Sequence, residues 1–235
     1  MVQPESEPYQ LLVQTALNNC ERLSNLINDL LDVQKFDAGK FVLQLKNIDL
    51  QEAVQQAVAA MRTYADKYGV VLTTGVVEQP VGAEIAQAKD VAEISFSTAE
   101  NAPADAILTD GIAGLRVMAD PLRLRQVLDN LLSNAVKFSH VGGEVHVRIL
   151  SEPAYLRVEV IDHGIGIPKA FQPRVFEKFS QADSSDARAK EGTGLGLTIC
   201  KRIIESHQGQ IGFYSAEQQG STFWFRLPRA HQILK

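Results

Sequence analysis

Two asparagines and a lysine, spaced along one helical segment, are residues whose types and positions could do chemistry. Asn130 and Asn134 are four residues apart and Lys137 follows three residues later, so their side chains project from, or close to, one face of a helix. Amide oxygens are suitable ligands for Mg²⁺, which keeps most of its water and bridges to phosphates, and a nearby lysine would neutralise phosphate charge. The rest of the segment is strongly apolar, with Val127, Leu128, Leu131, Leu132, Ala135 and Val136. The pattern predicts a magnesium and phosphate site, although paired asparagines on a helix can also simply face solvent.

A second candidate is Asp162, which directly follows the apolar strand-like run 158–161 and is followed by Gly164 and Gly166. A carboxylate at a strand end can accept a hydrogen bond from the amino group of adenine. A guanine carbonyl in the same place would face an anion, so this position favours ATP over GTP. The glycines would let the backbone approach the base closely. Taken alone, the Asp-x-Gly-x-Gly pattern is more often an ordinary turn.

The third pattern is a glycine-rich turn at the start of a helix, formed by Gly192, Thr193, Gly194, Leu195 and Gly196. Backbone N–H groups at such a helix start bind phosphate through aligned donors and the helix dipole. A dinucleotide fold is disfavoured, because no parallel strand leads into this turn. The preceding polar stretch, 181–191, carries Arg188 and Lys190, which could swing onto the phosphates.

These candidate residues need elements to position them, and the apolar periodicity predicts a long N-terminal helix over 9–38 and a second unit over 41–235. In the helix, apolar residues recur at spacings of four and three, at Ala16, Cys20, Leu23, Ile27 and Leu30. This seam favours a bundle between two copies of the chain, with an amphipathic helix folded onto its own domain as the alternative. Gly39 is placed to end the helix, so the first unit covers 1–40.

The second unit alternates helical and strand-like patterns. Helices are predicted at 49–68, 121–138 (with Asp120 as its N-cap) and 195–208, and strands at 41–45, 70–74, 116–119, 145–149, 156–161, 211–215 and 221–226. Residues 76–115 do not fit this pattern and are interpreted as an atypical insertion with a possible strand near 94–97.

Composition sets further bounds. The formal net charge of −5 gives no general reason to expect a nucleic acid as partner. No run approaches the roughly 18 apolar residues that span a bilayer, which favours a cytoplasmic protein or the cytoplasmic part of a membrane-attached sensor. Cys20 and Cys200 lie in helical patterns without metal-ligand spacing, so both are expected to be buried, reduced thiols.

The three patterns occur in a fixed order, together with a fourth, Phe176-Glu-Lys-Phe179. This combination resembles the catalytic, ATP-binding domain of hybrid-type two-component sensor histidine kinases, within the GHKL superfamily. Residues 24–32 and 36–39 resemble the second helix of the dimerisation and phosphoacceptor domain of those kinases. The resemblance implies an α/β fold: a two-layer sandwich of the Bergerat type, with a mixed sheet backed by helices, preceded by a long bundle-forming helix.

The resemblance also assigns roles to single residues. Asn134 matches the principal Mg²⁺ ligand, Asn130 the position one turn before it, and Asn130 and Lys137 are the expected catalytic residues. ATP binding is expected at Asn134, Lys137, Phe138, Asp162, Gly164, Gly166, Phe179, Arg188, Lys190, Gly192, Thr193, Gly194, Leu195 and Gly196. Two departures are Glu191, where hybrid kinases usually have another glycine, and His163, which replaces the usual Asn or Thr.

The reaction implied is transfer of the γ-phosphoryl group of ATP, with Mg²⁺ as cofactor. Superfamily ATPases carry a water-activating Glu at the position of Asn130, and an amide is a poor general base, so transfer is favoured over hydrolysis. The five histidines, at 140, 146, 163, 207 and 231, all fall outside a phosphoacceptor sequence, so this chain has no phosphoacceptor of its own.

The acceptor would then come from the phosphoacceptor helix of the same or a partner protein, with a response regulator receiver domain as the next partner. A fragment lacking the first helix is the favoured explanation. Two other functions remain open: a nucleotide-binding or dimerisation module without kinase activity, and a hydrolysing ATPase of the same superfamily.

Overall fold

The computed structural model describes residues 7–78, 114–181 and 193–230. The elements follow the chain in this order: α1 Glu7–Asp37, β1 Lys46–Asp49, α2 Leu50–Tyr68, β2 Val71–Glu78, β3 Arg116–Ala119, α3 Pro121–Phe138, β4 Glu144–Ser151, β5 Tyr155–Asp162, a 3₁₀ turn Gln172–Arg174, α4 Gly196–Ser206, β6 Gln210–Ala216 and β7 Gly220–Pro228.

The main sheet has five strands in the order β2-β4-β5-β7-β6. β2 pairs with β4 in parallel and the other neighbours are antiparallel, so the sheet is mixed. Helix α3 packs against α2 and α4, all three helices pack against this sheet, and β1 and β3 form a separate two-stranded ladder. The two-layer α/β sandwich expected from the sequence is therefore confirmed.

Two aspartates define where the central helices begin. The Asp49 carboxylate accepts hydrogen bonds from Gln51 N and Glu52 N at the start of α2. Asp120 does the same for Leu122 N and Arg123 N at the start of α3, as predicted. Such caps satisfy N–H groups that have no partner within the helix, which fixes the register of each helix on the sheet. In α3 that register directs Leu124, Val127, Leu128, Leu131, Leu132 and Val136 into the core.

Helix α1 spans 31 residues and is largely exposed along its predicted seam. Leu23, Ile27 and Leu30 are 59%, 51% and 46% exposed, because this face of the helix points away from its own domain. Cys20 lies on the same face and is exposed, so the prediction of two buried thiols is wrong for Cys20 and correct for Cys200. Within the described residues, no helix combines the length and apolar character needed to cross a bilayer.

The connection between α1 and β1 contains no strand, and the strand predicted at 41–45 is wrong. The alternation there reflects packing of an irregular segment, in which the Phe41 ring lies 3.9 Å from that of Phe36 and Arg123 sits over it at 5.0 Å. Gln44 N donates to the Asp120 carboxylate at 2.8 Å, so this backbone bonds to a side chain rather than to a neighbouring strand. The possible strand near 94–97 lies outside the described residues.

Candidate functional site

An open cleft of about 950 Å³ lies between α1, α2, α3, the chain after β5 and the start of α4. This is within the usual size range of small-molecule sites. Nine of the residues singled out from the sequence line it: Asn130, Asn134, Lys137, Phe138, Asp162, Gly166, Thr193, Gly194 and Gly196. Residues from distant parts of the chain therefore meet in one place.

Helix α3 supplies one wall of the cleft through Asn130, Asn134 and Lys137. The opposite face of α3 is buried in the core, so the helix cannot rotate without exposing that face, and the polar residues are held toward the cleft. The start of α4 comes close to this wall, because a Cβ on Gly196 would lie 2.6 Å from Asn130 Oδ1. Glycine is thus the residue that lets α4 begin beside the asparagine.

The donor set on this wall fits a magnesium ion that is shared with a ligand. Asn130 and Asn134 offer neutral amide oxygens, and Lys137 brings one positive charge to the same cleft. Among the described residues there is no cluster of three His, Cys, Asp or Glu side chains that would hold a metal unaided. Such a wall suits a cation that obtains most of its ligands from water and phosphate oxygens.

Asp162 closes β5 and is buried at the opposite side of the cleft. Its Oδ1 accepts hydrogen bonds from Gly164 N at 3.0 Å and Ser221 N at 3.2 Å. Both bonds go to one oxygen, so the second oxygen is the one that can meet a ligand. The two backbone donors fix the orientation of the carboxylate, because they come from β7 and from the turn after β5.

Burial raises the pKa of the Asp162 carboxyl from 3.8 to about 6, with the backbone N–H groups of Gly164 and Ser221 opposing the rise. The folded chain therefore binds a proton more tightly than the unfolded chain. The stability contributed by Asp162 is present in full below the unfolded pKa and is lost as pH rises through about 6, by up to about 3 kcal/mol.

We expect the Asp162→Asn variant to lack this pH dependence. The free energy of unfolding of the variant minus that of the parent chain should rise between about pH 4 and about pH 7.5, because only the parent loses stability there. Urea unfolding at both pH values measures this difference, and other titrating groups cancel in the comparison. A difference that stays constant with pH would show that the carboxyl titrates normally.

Packing requires a glycine at position 164, two residues after Asp162. A Cβ on Gly164 would lie 2.0 Å from the carbonyl oxygen of Phe138, which is closer than any real contact. Ile165 N donates to the same carbonyl at 3.3 Å. The turn after β5 is therefore held against the C-terminal end of α3, and this contact joins the Asp162 side of the cleft to the asparagine side.

The turn before α4 forms the third side of the cleft. Gly194 adopts the left-handed φ of 69°, and its carbonyl accepts a hydrogen bond from Phe179 N at 2.9 Å. Leu195 N donates to Thr193 Oγ1 at 3.1 Å. The side chain of Leu195 is buried in the core and anchors the turn. The backbone N–H groups at this helix start are thus placed at the cleft.

Not every predicted site residue lies in the lining. Gly164 and Leu195 support the cleft through packing, and Phe179 is 64% exposed outside it, with an unusual φ of 59°. Its neighbour Ser180 lines the cleft instead. Arg188, Lys190 and Gly192 lie outside the described residues.

The structure adds lining residues that the sequence did not indicate. Helix α1 contributes Asn25, Asn28 and Asp29, and α2 contributes Ala60, Met61 and Tyr64. Ile165, Ile167, Pro168 and Phe223 add apolar surface. Asn25, Asn28 and Asp29 lie three and four residues apart, so they share one face of α1 beside the apolar seam, and that spacing is the signal in the sequence that could have pointed to them.

Comparison with known proteins agrees with this geometry. Residues 119–231 match the family described as histidine kinase-, DNA gyrase B-, and HSP90-like ATPase. The chain is 33% identical over 225 residues to the circadian input-output histidine kinase CikA of Synechococcus elongatus, covering 96% of this chain and 26% of that protein. It is 33% identical to the signal transduction histidine-protein kinase BarA of Escherichia coli, covering 90% of this chain and 20% of BarA. The chain thus spans about a quarter or less of the length of these relatives.

Solved structures of histidine kinases also share the fold of this chain. Full-length ShkA in complex with AMPPNP matches with a TM-score of 0.69 and 25% identity, over 96% of this chain and 40% of ShkA. The histidine kinase ThkA, solved in complex with the response regulator TrrA, shares the fold with a TM-score of 0.63, over 99% of this chain and 54% of ThkA. The cleft, the sheet order and the similar sequences agree: residues 119–231 belong to the histidine kinase-, DNA gyrase B-, and HSP90-like ATPase family, and the chain as a whole is similar to the ATP-binding catalytic part of sensor histidine kinases of two-component systems.

Proposed function

We propose that this chain binds ATP with Mg²⁺ in the cleft and transfers the γ-phosphoryl group to a histidine that is not part of the chain. The phosphoryl group would then pass to the receiver domain of a response regulator. The observation that carries the proposal is the meeting, in one cleft, of the α3 asparagines, the buried Asp162 and the glycine turn at the start of α4.

The adenine end of the nucleotide is assigned to the Asp162 side of the cleft. The second carboxylate oxygen of Asp162 would accept a hydrogen bond from the adenine amino group, while Gly164 N and Ser221 N hold the first oxygen in place. Apolar side chains such as Met61 and Ile165 line the cleft and offer surface for the base. Guanine would present a carbonyl oxygen to the same carboxylate, so ATP is the expected nucleotide.

The phosphate end is assigned to the glycine turn and α3. The N–H groups at the start of α4 point partial positive charge toward the cleft, and Gly194 and Gly196 keep this surface free of side chains. Asn134 and Asn130 would hold Mg²⁺, which when bound neutralises phosphate charge and bridges phosphate oxygens. Lys137 would neutralise part of the remaining charge.

Transfer is favoured over hydrolysis by the residue at the cleft wall. Asn130 has no group that accepts a proton at neutral pH, so it cannot activate water as a carboxylate would. Two of the four histidines in the described part of the chain are held by contacts within the catalytic unit and do not suit the acceptor role. His207 is buried and accepts a hydrogen bond from Asp120 N, and His146 is hydrogen-bonded to Thr73 on the sheet. Because none of the five histidines lies in a phosphoacceptor sequence, the proposed acceptor is a histidine on the phosphoacceptor helix of the same or a partner protein.

The same proposal covers the formation of a homodimer and the cellular location of the protein. Residues 1–40 would be part of a dimerisation unit, and 41–235 the catalytic unit. The exposed apolar seam of 9–38 supports pairing with a second copy of the chain, because an apolar stripe on a helix is favourably removed from water when another helix covers it. A cytoplasmic location, or attachment to a membrane sensor on its cytoplasmic side, follows from the kinship with sensor kinases.

Calorimetric titration with ATP, with and without Mg²⁺, tests the binding step. We expect Mg²⁺-dependent binding and clearly weaker binding of GTP. The purified chain is then supplied with a phosphoacceptor hairpin and radiolabelled ATP, and label on the histidine tests transfer. Binding without transfer would leave a nucleotide-binding module, phosphate release without a hairpin would favour an ATPase, and no binding at about millimolar ATP would contradict the proposal.

A further inference from the structure

Helix α1 is held against the catalytic unit by its own carboxylates. Asp32 is buried and accepts hydrogen bonds from both terminal nitrogens of Arg123, at 2.5 and 3.1 Å, and one from Gln126 at 3.2 Å. Asp37 forms a more exposed pair with Lys178 at 2.6 Å. The C-terminal half of the helix therefore has a fixed position relative to α3 and the cleft.

That position brings a third carboxylate, Asp29, to the glycine turn. Thr193 Oγ1 donates a hydrogen bond to Asp29 Oδ2 at 3.2 Å, and Leu195 N donates to Thr193 Oγ1 at 3.1 Å. The three residues form a chain of hydrogen bonds from α1 to the first backbone donors of α4. Asp29 is also part of the cleft lining, on the α1 side.

This chain of hydrogen bonds occupies a donor that a phosphate would use. The N–H of Leu195 lies at the start of α4, where an anion is bound by free backbone donors. In the docked arrangement that N–H is already bonded to Thr193, whose hydroxyl is directed by Asp29. The Asp29 carboxylate also adds negative charge at the same end of the cleft, and like charges repel more strongly where burial excludes water.

We propose that Asp29 is a positioning residue that lowers nucleotide affinity while α1 is docked, so that ATP and the docked helix compete for the glycine turn. The inference rests on the proposed function, since it concerns the phosphate end of the same cleft. It assigns to α1 a regulatory role in addition to its apolar seam. Asp29 acts through Thr193 and the Leu195 N–H, and takes no part in the transfer of the phosphoryl group.

The competition is reciprocal. If docking of α1 weakens ATP binding by a given factor, then ATP weakens docking by the same factor. The chain has a point about which α1 could move, because Gly39 follows the helix with a left-handed φ of 64° and no atom lies within 4 Å of where its Cβ would be. Movement of the dimerisation helix would thereby report on whether the cleft holds nucleotide.

The test is a set of calorimetric ATP titrations at about pH 8 with saturating Mg²⁺, where carboxylates are ionised. The Asp29→Asn variant keeps an acceptor for Thr193 but loses the charge, and we expect it to bind ATP about three- to tenfold more tightly than the parent chain. Asp29→Glu keeps the charge and is expected to bind no more tightly than the parent. Because the effect is electrostatic, the ratio of the dissociation constant of the parent chain to that of Asp29→Asn should fall toward one as the salt concentration rises from about 0.05 M to about 0.5 M.

Asp66→Asn is the matched control, since it removes one negative charge from an exposed position on α2 that neither lines the cleft nor belongs to the contacts described for α1. It is expected to change ATP affinity less than about twofold. Equal or weaker ATP binding by Asp29→Asn, an equal gain in Asp66→Asn, or a ratio unaffected by salt would each overturn the competition while leaving ATP binding itself intact. If neither the parent nor Asp29→Asn binds ATP, the proposed function fails and this inference fails with it.

Discussion

The Asn134→Ala variant is expected to bind ATP with little dependence on Mg²⁺ and to transfer phosphoryl groups at least about a hundredfold more slowly than the parent chain. Asn134 lies on the cleft face of α3, and its amide oxygen is assigned to the metal. Without that oxygen the ion loses its attachment to the protein and no longer aligns the phosphates. Transfer of radiolabel from ATP to a supplied phosphoacceptor hairpin measures the rate, and calorimetry with and without Mg²⁺ measures the loss of metal dependence.

Asn134→Asp is the informative companion variant, because it keeps an oxygen ligand at the same position. It should retain Mg²⁺-dependent binding and more of the activity than Asn134→Ala. Since Asn134 is partly exposed toward the cleft and the core face of α3 is unchanged, thermal unfolding of both variants should stay close to that of the parent. Normal transfer by a folded Asn134→Ala variant would remove Asn134 from the metal site.

The Asp162→Asn variant is expected to remain folded and to bind ATP about 10- to 100-fold more weakly, the equivalent of about 1.5–3 kcal/mol for a hydrogen bond to a charged group. The asparagine can still accept hydrogen bonds from Gly164 N and Ser221 N through its oxygen. Its amide nitrogen then takes the place of the second carboxylate oxygen. The N–H groups of the asparagine amide and of the adenine amino group would then face each other without an acceptor. ATP binding is therefore weakened, while the packing around residue 162 is unchanged.

Calorimetric titrations with ATP and GTP read out this effect, and the ratio of the two affinities is the sharper quantity. The parent chain should prefer ATP, whereas Asp162→Asn should lose most of that preference because its NH₂ group can donate to a guanine carbonyl. Asp66→Asn, which removes a charge from an exposed position on α2, should leave both affinities unchanged. An unaltered preference in folded Asp162→Asn protein would contradict the adenine assignment.

Local signals in the sequence were sufficient for most of the fold. The cap at Asp120 and the apolar repeat behind it fix α3 to within a residue, because both are properties of a single helix. The glycines at 164 and 194 were recognisable, although their reasons differ. Gly164 is needed because the Phe138 carbonyl occupies the space of a side chain, and Gly194 because of its left-handed φ.

The failures concern contacts between parts of the chain that are far apart in sequence. The alternation at 41–45 imitates a strand, but an aromatic contact with Phe36 and a hydrogen bond to Asp120 take the place of a ladder. The exposure of Cys20 depends on which side of α1 meets the domain, and apolar spacing alone does not determine that side.

Residue types and spacing predicted most of the residues that meet in the cleft, but not those on the side formed by α1. Asn130, Asn134, Asp162 and the turn at 193–196 were identified from residue type and spacing, and the structure brings them into one cleft. Asp29 was not identified, because its importance comes from a hydrogen bond to Thr193 that spans 164 residues of sequence. Arg188, Lys190 and Gly192 remain predictions.

The attachment of residues 79–113 to the sandwich has a consequence for how such a chain can change in length. The chain leaves β2 at Glu78 and returns at Gly114, and neither residue lines the cleft. The length of the chain between these two points can therefore differ among related proteins without changing the lining of the cleft, the register of α3 or the chemistry beside it.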